Sequence, residues 1–263
     1  MTDQILPGDL EQLEACRLER ARLGRRALLR GGVGGAGLLL AGALAACGSS
    51  ASPTPLAAPP TTVPVRSGDD ALERLKAGNS RYMRGVSVGV GRDAVRRVQQ
   101  AAKQTPFAIV VSCADSRVPP EIVFDEGIGD LFVVRVAGNT AASPLVQGSI
   151  EFAVSQLHSV LIMVLGHESC GAVQGALDVV NKGASLPGQI DAVVEPILPA
   201  ARAVTSLPAD QQLAAATRQN VVNQLELLKG LGPIVQEAVA SGSVKLVGGE
   251  YVLKTGAVQL LEA

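Results

Sequence analysis

Two short segments that lie far apart in the sequence carry side chains that could bind a metal ion. The first is Cys113-Ala-Asp-Ser-Arg117, and the second is His167-Glu-Ser-Cys170. Two thiolates and one imidazole suit Zn²⁺, a borderline-soft ion that prefers tetrahedral nitrogen and sulfur coordination. Three protein ligands leave one position open for water or substrate, whereas a structural zinc site normally closes with four. The ligand set therefore indicates a catalytic zinc site.

Both segments follow apolar, β-branched runs, at residues 107–111 and 160–165, which are typical of buried parallel strands. Because ligands of open α/β sheets bind at the carboxyl ends of the strands, the two segments should meet at one edge. Asp115 follows closely enough after the first cysteine to approach the same metal. Arg117 is placed to pair with Asp115 and to hold that carboxylate ionised and oriented.

Other interpretations of these residues are open at this point. Two cysteines in an exported protein could form a disulfide, although the histidine and the Asp/Arg pair favour a metal. His158 has no metal-ligand neighbours and is expected to be a capping or surface residue. Glu168 could be a proton acceptor, a solvated charge or a carboxylate at a helix N-terminus.

The motifs resemble those of the β-class carbonic anhydrases. The resemblance extends from about Asp69 to the C-terminus, and it includes Gln104, residues 132–135, Asn139 and residues 148–153 in the expected order. It implies an α/β fold with a central, mostly parallel β-sheet flanked by helices, and one Zn²⁺ per subunit. It also implies a homodimer or a dimer of dimers. The expected substrates are CO2 and bicarbonate.

The resemblance also implies a mechanism. Zinc on Cys113, His167 and Cys170 would lower the pKa of its water, and the resulting hydroxide would attack CO2. Asp115, held by Arg117, would accept the hydrogen of the hydroxide and aim its lone pair at CO2. Because thiolates donate more charge than imidazoles, activity should favour neutral to alkaline pH.

Two further residues have expected roles by the same resemblance. The side-chain amide of Gln104 would orient CO2 or bicarbonate, and the backbone amide of Gly171 is a candidate helper. Asp115 could alternatively swing onto zinc as a fourth ligand and close the site in an inactive form. A related subgroup with bicarbonate-triggered closure uses a Trp, and this chain has no Trp, so that switch is not expected.

Two other functions are compatible with the same motifs. Hydrolysis of CS2 or COS, which are CO2 analogues, would use the same fold and ligands. A surface lipoprotein that only binds or stores zinc is the non-enzymatic alternative, but zinc binding alone needs neither Asp115 nor Arg117.

Composition excludes some classes of function. The formal net charge is −1, and the aromatic residues comprise no Trp, two Tyr and four Phe. A chain with no basic stripe outside its leader and few stacking side chains is not expected to bind nucleic acid. Residues 68–263 are long enough for one α/β domain with a sizeable core.

The N-terminal region has the pattern of an export signal. Arg25 and Arg26 resemble a twin-arginine motif, and the uncharged stretch at residues 31–46 is too short and glycine-rich for a membrane span. Leu-Ala-Ala-Cys47 resembles a bacterial lipobox. Residues 1–47 are therefore predicted to be a signal peptide, cleaved before a lipidated Cys47 that anchors the protein at the membrane surface outside the cytoplasm.

An amphipathic N-terminal arm packed on the domain is the alternative to a signal peptide, but residues 31–46 have no polar face. Residues 48–67, rich in Ser, Pro and Ala, form a linker.

The apolar patterns and the turn residues predict the elements of the catalytic region. Helices are predicted over 69–83, 92–103, 144–157, 171–182, 211–229 and 233–241, with a short helix after Pro120 and a loop-helix region up to Pro208. Strands are predicted over 107–111, 131–137, 160–167, 244–247 and 251–253.

Overall fold

A computed structural model describes residues 64–261. The predictions for Arg25, Arg26 and Cys47, and for most of the 48–67 linker, concern residues outside this range. Within residues 64–261, no helix combines the length and the apolar character that crossing a membrane requires.

The described chain folds into helices and strands that alternate through most of its length. The helices are α1 Gly68–Met83, α2 Ala94–Gln100, α3 Pro120–Val123, α4 Pro144–Ser155, α5 Gly171–Lys182, α6 Ile190–Val194, α7 Leu198–Ala203, α8 Ala209–Lys229 and α9 Gly232–Ala240. The strands are β1 Ala108–Ser112, β2 Leu131–Arg135, β3 Leu161–His167, β4 Lys245–Tyr251 and β5 Val258–Leu261. Short 3-10 turns lie at Ala137–Asn139 and Glu195–Ile197.

The strands form one five-stranded sheet in the order β2-β1-β3-β4-β5. The first four strands are parallel, and β5 pairs antiparallel with β4. Every residue of β1 and β3 is buried, which explains their continuous apolar sequence. The expected mostly parallel α/β sheet is confirmed.

Helices cover both faces of the sheet. On one face, α4, α8 and α9 contribute apolar side chains such as Ile150, Leu225 and Val235 to a core with Ile109 and Ile162. On the other face, α1 and the segment around α3 pack against the alternate residues of β1 and β3. A third apolar cluster surrounds Cys113 and Cys170 and includes residues of the 190–204 region.

Local sequence signals account for several helix boundaries. Ser67 and Asp70 form a capping box at the start of α1, since the Ser67 hydroxyl accepts from the Asp70 N–H and the Asp70 carboxylate accepts from the Ser67 N–H. α5 occupies the predicted range and is capped by Gly183, whose φ of 63° suits glycine. α2 is shorter at both ends than the predicted 92–103, since it begins at Ala94 after the N-cap Asp93 and ends at Gln100.

The strand predicted over 244–247 is confirmed as the first part of β4, whereas the separate strand predicted over 251–253 is wrong. Residues 245–251 form the single strand β4, and the last strand is β5 at 258–261. Gly248 and Gly249 interrupt the apolar pattern, so the sequence suggests a break at that point. Glycine is required at position 248, because a Cβ there would lie only 2.9 Å from side-chain atoms of Val221 and Leu225 in α8.

Asn79 of α1 joins this helix to the last hairpin. It is buried, and its side-chain amide donates to the carbonyls of Val123 and Gly256 and accepts from the Val258 N–H, at 2.8 to 3.1 Å. We expect Asn79→Ala to lower the free energy of unfolding by about 2 to 4 kcal/mol, because three buried backbone groups lose their partner. Urea unfolding measures this loss, with the exposed Ser80→Ala as the control. Equal stability of the two variants would contradict the role given to Asn79.

Candidate metal centre

The three predicted ligands meet at the carboxyl edge of the sheet. Cys113 directly follows β1, His167 is the last residue of β3, and Cys170 is the residue that precedes α5. Their ligand atoms all lie within 4.8 Å of one another, and all three residues are buried. The adjacent strands thus bring the two sequence segments together as predicted.

His167 presents one ring nitrogen to this cluster. Its Nδ1 lies 2.8 Å from the carbonyl oxygen of Glu168, and a carbonyl can only accept, so Nδ1 carries the hydrogen. Nε2 is then an acceptor, and it is buried with no hydrogen-bond partner among the described residues. An orphaned imidazole nitrogen beside two thiols fits a zinc ion that takes one nitrogen and two sulfur ligands.

The two sulfur atoms are 4.0 Å apart, and both thiols are free. This distance is about twice a disulfide bond length, so the alternative of a disulfide is not what the structure shows. The hydrogen bond from Cys170 lowers the pKa of the Cys113 thiol, and contacts with His167 and with the Gly138 N–H act in the same direction. The same hydrogen bond and burial raise the pKa of Cys170.

Backbone N–H groups also face the thiols. The Gly138 N–H lies 3.4 Å from Cys113 Sγ, and the N–H groups of Ala172 and Val173 in the first turn of α5 lower the pKa of Cys170. Gly138 has a φ of 75°, and a Cβ there would lie 2.4 Å from Ile197 Cδ1. Sequence reasoning assigned no role to Gly138. The Gly-Asn pair that follows β2 is the signal that could have indicated a left-handed turn.

Asp115 and Arg117 form the predicted pair at the edge of the cluster. The Arg117 Nε donates to Asp115 Oδ1 at 2.9 Å, and Nη2 donates to Oδ2 at 2.8 Å. This contact holds the pKa of the Asp115 carboxyl well below its usual range. Oδ2 also lies 3.9 Å from His167 Nε2. The carboxylate is therefore ionised, paired with arginine and adjacent to the ligand atoms.

Arg135 supports the backbone of the first motif. Its Nε donates to the carbonyl oxygen of Cys113 at 3.0 Å, and its Nη2 donates to that of Asp115. The sequence motif included Arg135 without a role. Its position at the end of β2, next to the end of β1, allows one side chain to fix two carbonyls of the loop.

The remaining predicted site residues lie at different distances from the cluster. Gly171 begins α5 directly after Cys170, and a side chain at Gly171 would point into open space. Gln104 is exposed and precedes β1, whereas Cys113 follows it. Five residues of β-strand span about 16 Å, so the chain does not bring Gln104 to its own Cys113.

The structure also decides the interpretation of two other residues near this region. Glu168 Oε2 accepts from the Leu253 N–H at 3.0 Å and fixes the segment after β4. The hydrogen bond of the Glu168 side chain is thus with the backbone of this segment and not with the helix N-terminus. His158 is exposed, as expected, with a φ of 56°.

Most of the described chain is similar to known proteins. The family model described as "Carbonic anhydrase" matches residues 108–258. Among curated relatives, carbonic anhydrase 2 of Mycobacterium tuberculosis is 38% identical over 197 residues, which cover 75% of this chain and 92% of the relative.

Solved structures of similar fold agree with this family match. The β-carbonic anhydrase of Coccomyxa in complex with acetazolamide is 27% identical, with a TM-score of 0.54, and the match covers 73% of this chain and 82% of that one. A tetrameric β-carbonic anhydrase of Sordaria macrospora has a TM-score of 0.58 at 23% identity, covering 63% of this chain and 85% of that one. The latter likeness concerns the fold.

Removal of one sulfur ligand tests the metal centre. We expect Cys170→Ser to lose zinc, because a neutral hydroxyl replaces a soft, anionic thiolate in a site with only three protein ligands. Metal analysis of the purified, dialysed protein measures the zinc content per chain. Ser116→Ala, an exposed change in the first motif, should retain the wild-type content. Full zinc occupancy in Cys170→Ser would show that the ligand set is wrong.

Proposed function

The chain belongs to the β-class carbonic anhydrases, and we propose that it hydrates CO2 to bicarbonate and a proton as an exported enzyme held at the membrane surface by Cys47. The observation that carries the catalytic part is the buried Cys/His/Cys cluster with an arginine-held carboxylate beside it. Storage of zinc would need the cluster alone. The paired carboxylate supplies a group that can act on a substrate.

Cys113, His167 and Cys170 would hold the zinc ion. When bound, zinc is a Lewis acid that lowers the pKa of a water molecule at its open position and so supplies a nucleophile near neutral pH. The two thiolates donate more charge than imidazoles do, and we expect activity to rise from neutral toward alkaline pH. Asp115 is ionised throughout this range, because contact with Arg117 lowers its pKa. The pH profile therefore should not report the titration of Asp115.

Asp115 would orient the nucleophile. An ionised carboxylate only accepts hydrogen bonds, so Asp115 fixes the O–H of the attacking group and turns a lone pair toward CO2. Arg117 occupies both carboxylate oxygens and the Arg117 N–H adds a third bond, at 2.9 Å. This geometry keeps the carboxylate from turning toward the metal ligands. The Gly171 N–H, at the exposed start of α5, is the candidate donor to the substrate.

A closed form with Asp115 as a fourth metal ligand is part of the proposal. Oδ2 lies only 3.9 Å from His167 Nε2 while it is bound to Arg117. A small rotation after loss of the arginine contact would bring it to the metal. The pairing of Asp115 with Arg117 is the arrangement that we expect of the open form.

Assembly into a homodimer or a dimer of dimers is the proposed state. Gln104 is separated from its own cluster by the length of β1, so it could orient CO2 or bicarbonate only in the site of another subunit. The sheet offers a surface for a second copy, because the edge strand β2 is only partly buried along its whole length. The tetrameric structure from Sordaria macrospora is consistent with this proposal.

Stopped-flow measurement of CO2 hydration by the zinc-loaded protein, from about pH 6.5 to pH 9, tests the proposed activity. Turnover that rises with pH would support it. Turnover of CS2 or COS without CO2 hydration would identify the alternative hydrolase. Full zinc content without turnover of any of the three would favour the non-catalytic zinc lipoprotein.

The Asp/Arg pair generates a separate prediction. Asp115→Ala should lower kcat/KM about 100-fold or more and retain zinc, because a group that orients the nucleophile is lost while all three ligands remain. Arg117→Ala should also lower kcat/KM and retain zinc, because the released carboxylate can reach the metal. The measurements are steady-state CO2 hydration and metal content.

The control for this pair is Glu121→Gln, which removes an exposed carboxylate from the same region of the chain. It should leave kcat/KM within about twofold of the wild-type value. Near-normal turnover of either Asp115→Ala or Arg117→Ala would refute the orienting role.

Export and anchoring are tested in a bacterial host that processes lipoproteins. Arg25→Lys combined with Arg26→Lys should hold the precursor in the cytoplasm, because the pathway reads the arginine pair. Cys47→Ser should move the exported protein from the membrane fraction to the soluble extracytoplasmic fraction. Fractionation and mass spectrometry of the mature N-terminus measure both effects. Membrane association of Cys47→Ser at the wild-type level would refute the lipid anchor.

A further inference from the structure

A pair of amide side chains lies buried on the inner face of α8. Asn220 is fully buried and Gln224 nearly so, next to apolar residues of the same helix such as Val221 and Leu225. Burial of an amide is costly unless its polar atoms are bonded. The partners of these two amides therefore indicate what the polar positions are for.

Both amides bind the turn that follows β2. Asn220 Nδ2 donates to the Gly138 carbonyl at 2.9 Å, and Gln224 Oε1 accepts from the Ala141 N–H at 2.8 Å. Gln224 Nε2 also donates to Asn220 Oδ1, at 3.3 Å. Each amide thus orients the other, and together they fix the turn relative to α8.

The residue that Asn220 holds is the one that faces the metal ligand. Gly138 accepts from Asn220 through its carbonyl, while its own N–H points at Cys113 Sγ, 3.4 Å away. The glycine fits tightly, since a Cβ at this position would meet Ile197 Cδ1 at 2.4 Å and Ala172 Cβ at 3.2 Å. A shift of the turn would therefore move the N–H relative to the sulfur.

We propose that Asn220 is a positioning residue for the zinc centre, which holds the Gly138 N–H against the Cys113 sulfur through the Gly138 carbonyl. Asn220 touches neither the ligands nor the substrate, and its action passes through one glycine. This inference rests on the zinc site of the proposed function.

The hydrogen bond from the Gly138 N–H changes how much charge the Cys113 sulfur donates to a bound metal. A donor directed at a thiolate withdraws electron density from it, and so reduces the charge that this ligand gives to the metal. In a site with two thiolates this donor offsets part of the loss of Lewis acidity that sulfur ligation brings. It also fixes the direction of the sulfur lone pairs, and such outer contacts affect metal affinity strongly.

Asn220→Leu tests the proposal, because it removes the donor and retains a side chain of similar size. We expect the zinc dissociation constant to rise about 10-fold or more in competition with a chromophoric chelator, because the loss of orientation at the Cys113 sulfur outweighs the gain in its charge donation. In the cobalt-substituted protein, the sulfur-to-cobalt charge-transfer band should shift to longer wavelength, because the sulfur electrons lose a stabilising hydrogen bond. A purely structural role for Asn220 would not move that band.

Thr217→Val is the matched control. Thr217 is buried on the same helix, but its hydroxyl donates only to the Leu213 carbonyl of α8 itself. This variant should keep the wild-type band and zinc affinity. Where Asn220→Leu does not fold, Asn220→Ser, which removes the amide donor and places a small polar side chain in the core, is measured in the same way.

The outcomes separate this inference from the proposed function. A wild-type protein whose cobalt form lacks thiolate charge-transfer bands would overturn the metal centre itself. Wild-type bands that stay unchanged in the folded Asn220 variant, with a zinc dissociation constant within about twofold of the wild-type value, would overturn only the role of Asn220. A shifted band with weaker zinc binding in Asn220→Leu and not in Thr217→Val supports the proposal.

Discussion

The parallel pairing of β1 with β3 is the constraint on which the rest of this structure depends. The two strands lie side by side, in a register that pairs Ser112 with Leu165, and neither exposes any residue to solvent. Adjacent parallel strands end at the same edge of a sheet, so Cys113 and His167 must come close together. The pairing of these two core strands thereby sets the distance between Cys113 and His167 before either residue binds a metal.

Burial of polar groups at this edge explains the structures that surround it. A buried imidazole nitrogen that has no hydrogen-bond partner is unfavourable in a core. A metal ion would bind this nitrogen and the two neighbouring sulfur atoms at once. Three neighbouring groups support this edge: the N–H groups at the start of α5, the Gly138 N–H, and the Arg135 side chain, which donates to the carbonyls of the first motif. The elements nearest the cluster therefore serve to fix ligands that the strands bring together.

The sequence was sufficient for the parts of the fold and the site that local patterns encode. The buried strands, the range of α5 and the Asp115/Arg117 pair follow from apolar runs, capping residues and short spacing. The predicted break within β4 was wrong. Gly248 lies in this strand because α8, which is distant in sequence, packs too closely for a larger side chain, and no local pattern indicates that contact. The role of Gly138 and the separation of Gln104 from its own cluster depend in the same way on tertiary contacts.

The division between rigid and movable parts of the site has a physical basis in burial. The ligands are enclosed by the core, and Asn220 and Gln224 fix the turn beside them without access to solvent. Arg117, by contrast, has a side chain that is 54% exposed, while its partner Asp115 is 18% exposed. An ion pair at that exposure is weakened by water and salt, whereas the buried contacts are not. Any switch between an open and a closed site should therefore act through Arg117, because solvent can compete for its exposed contact with Asp115 without unpacking the core.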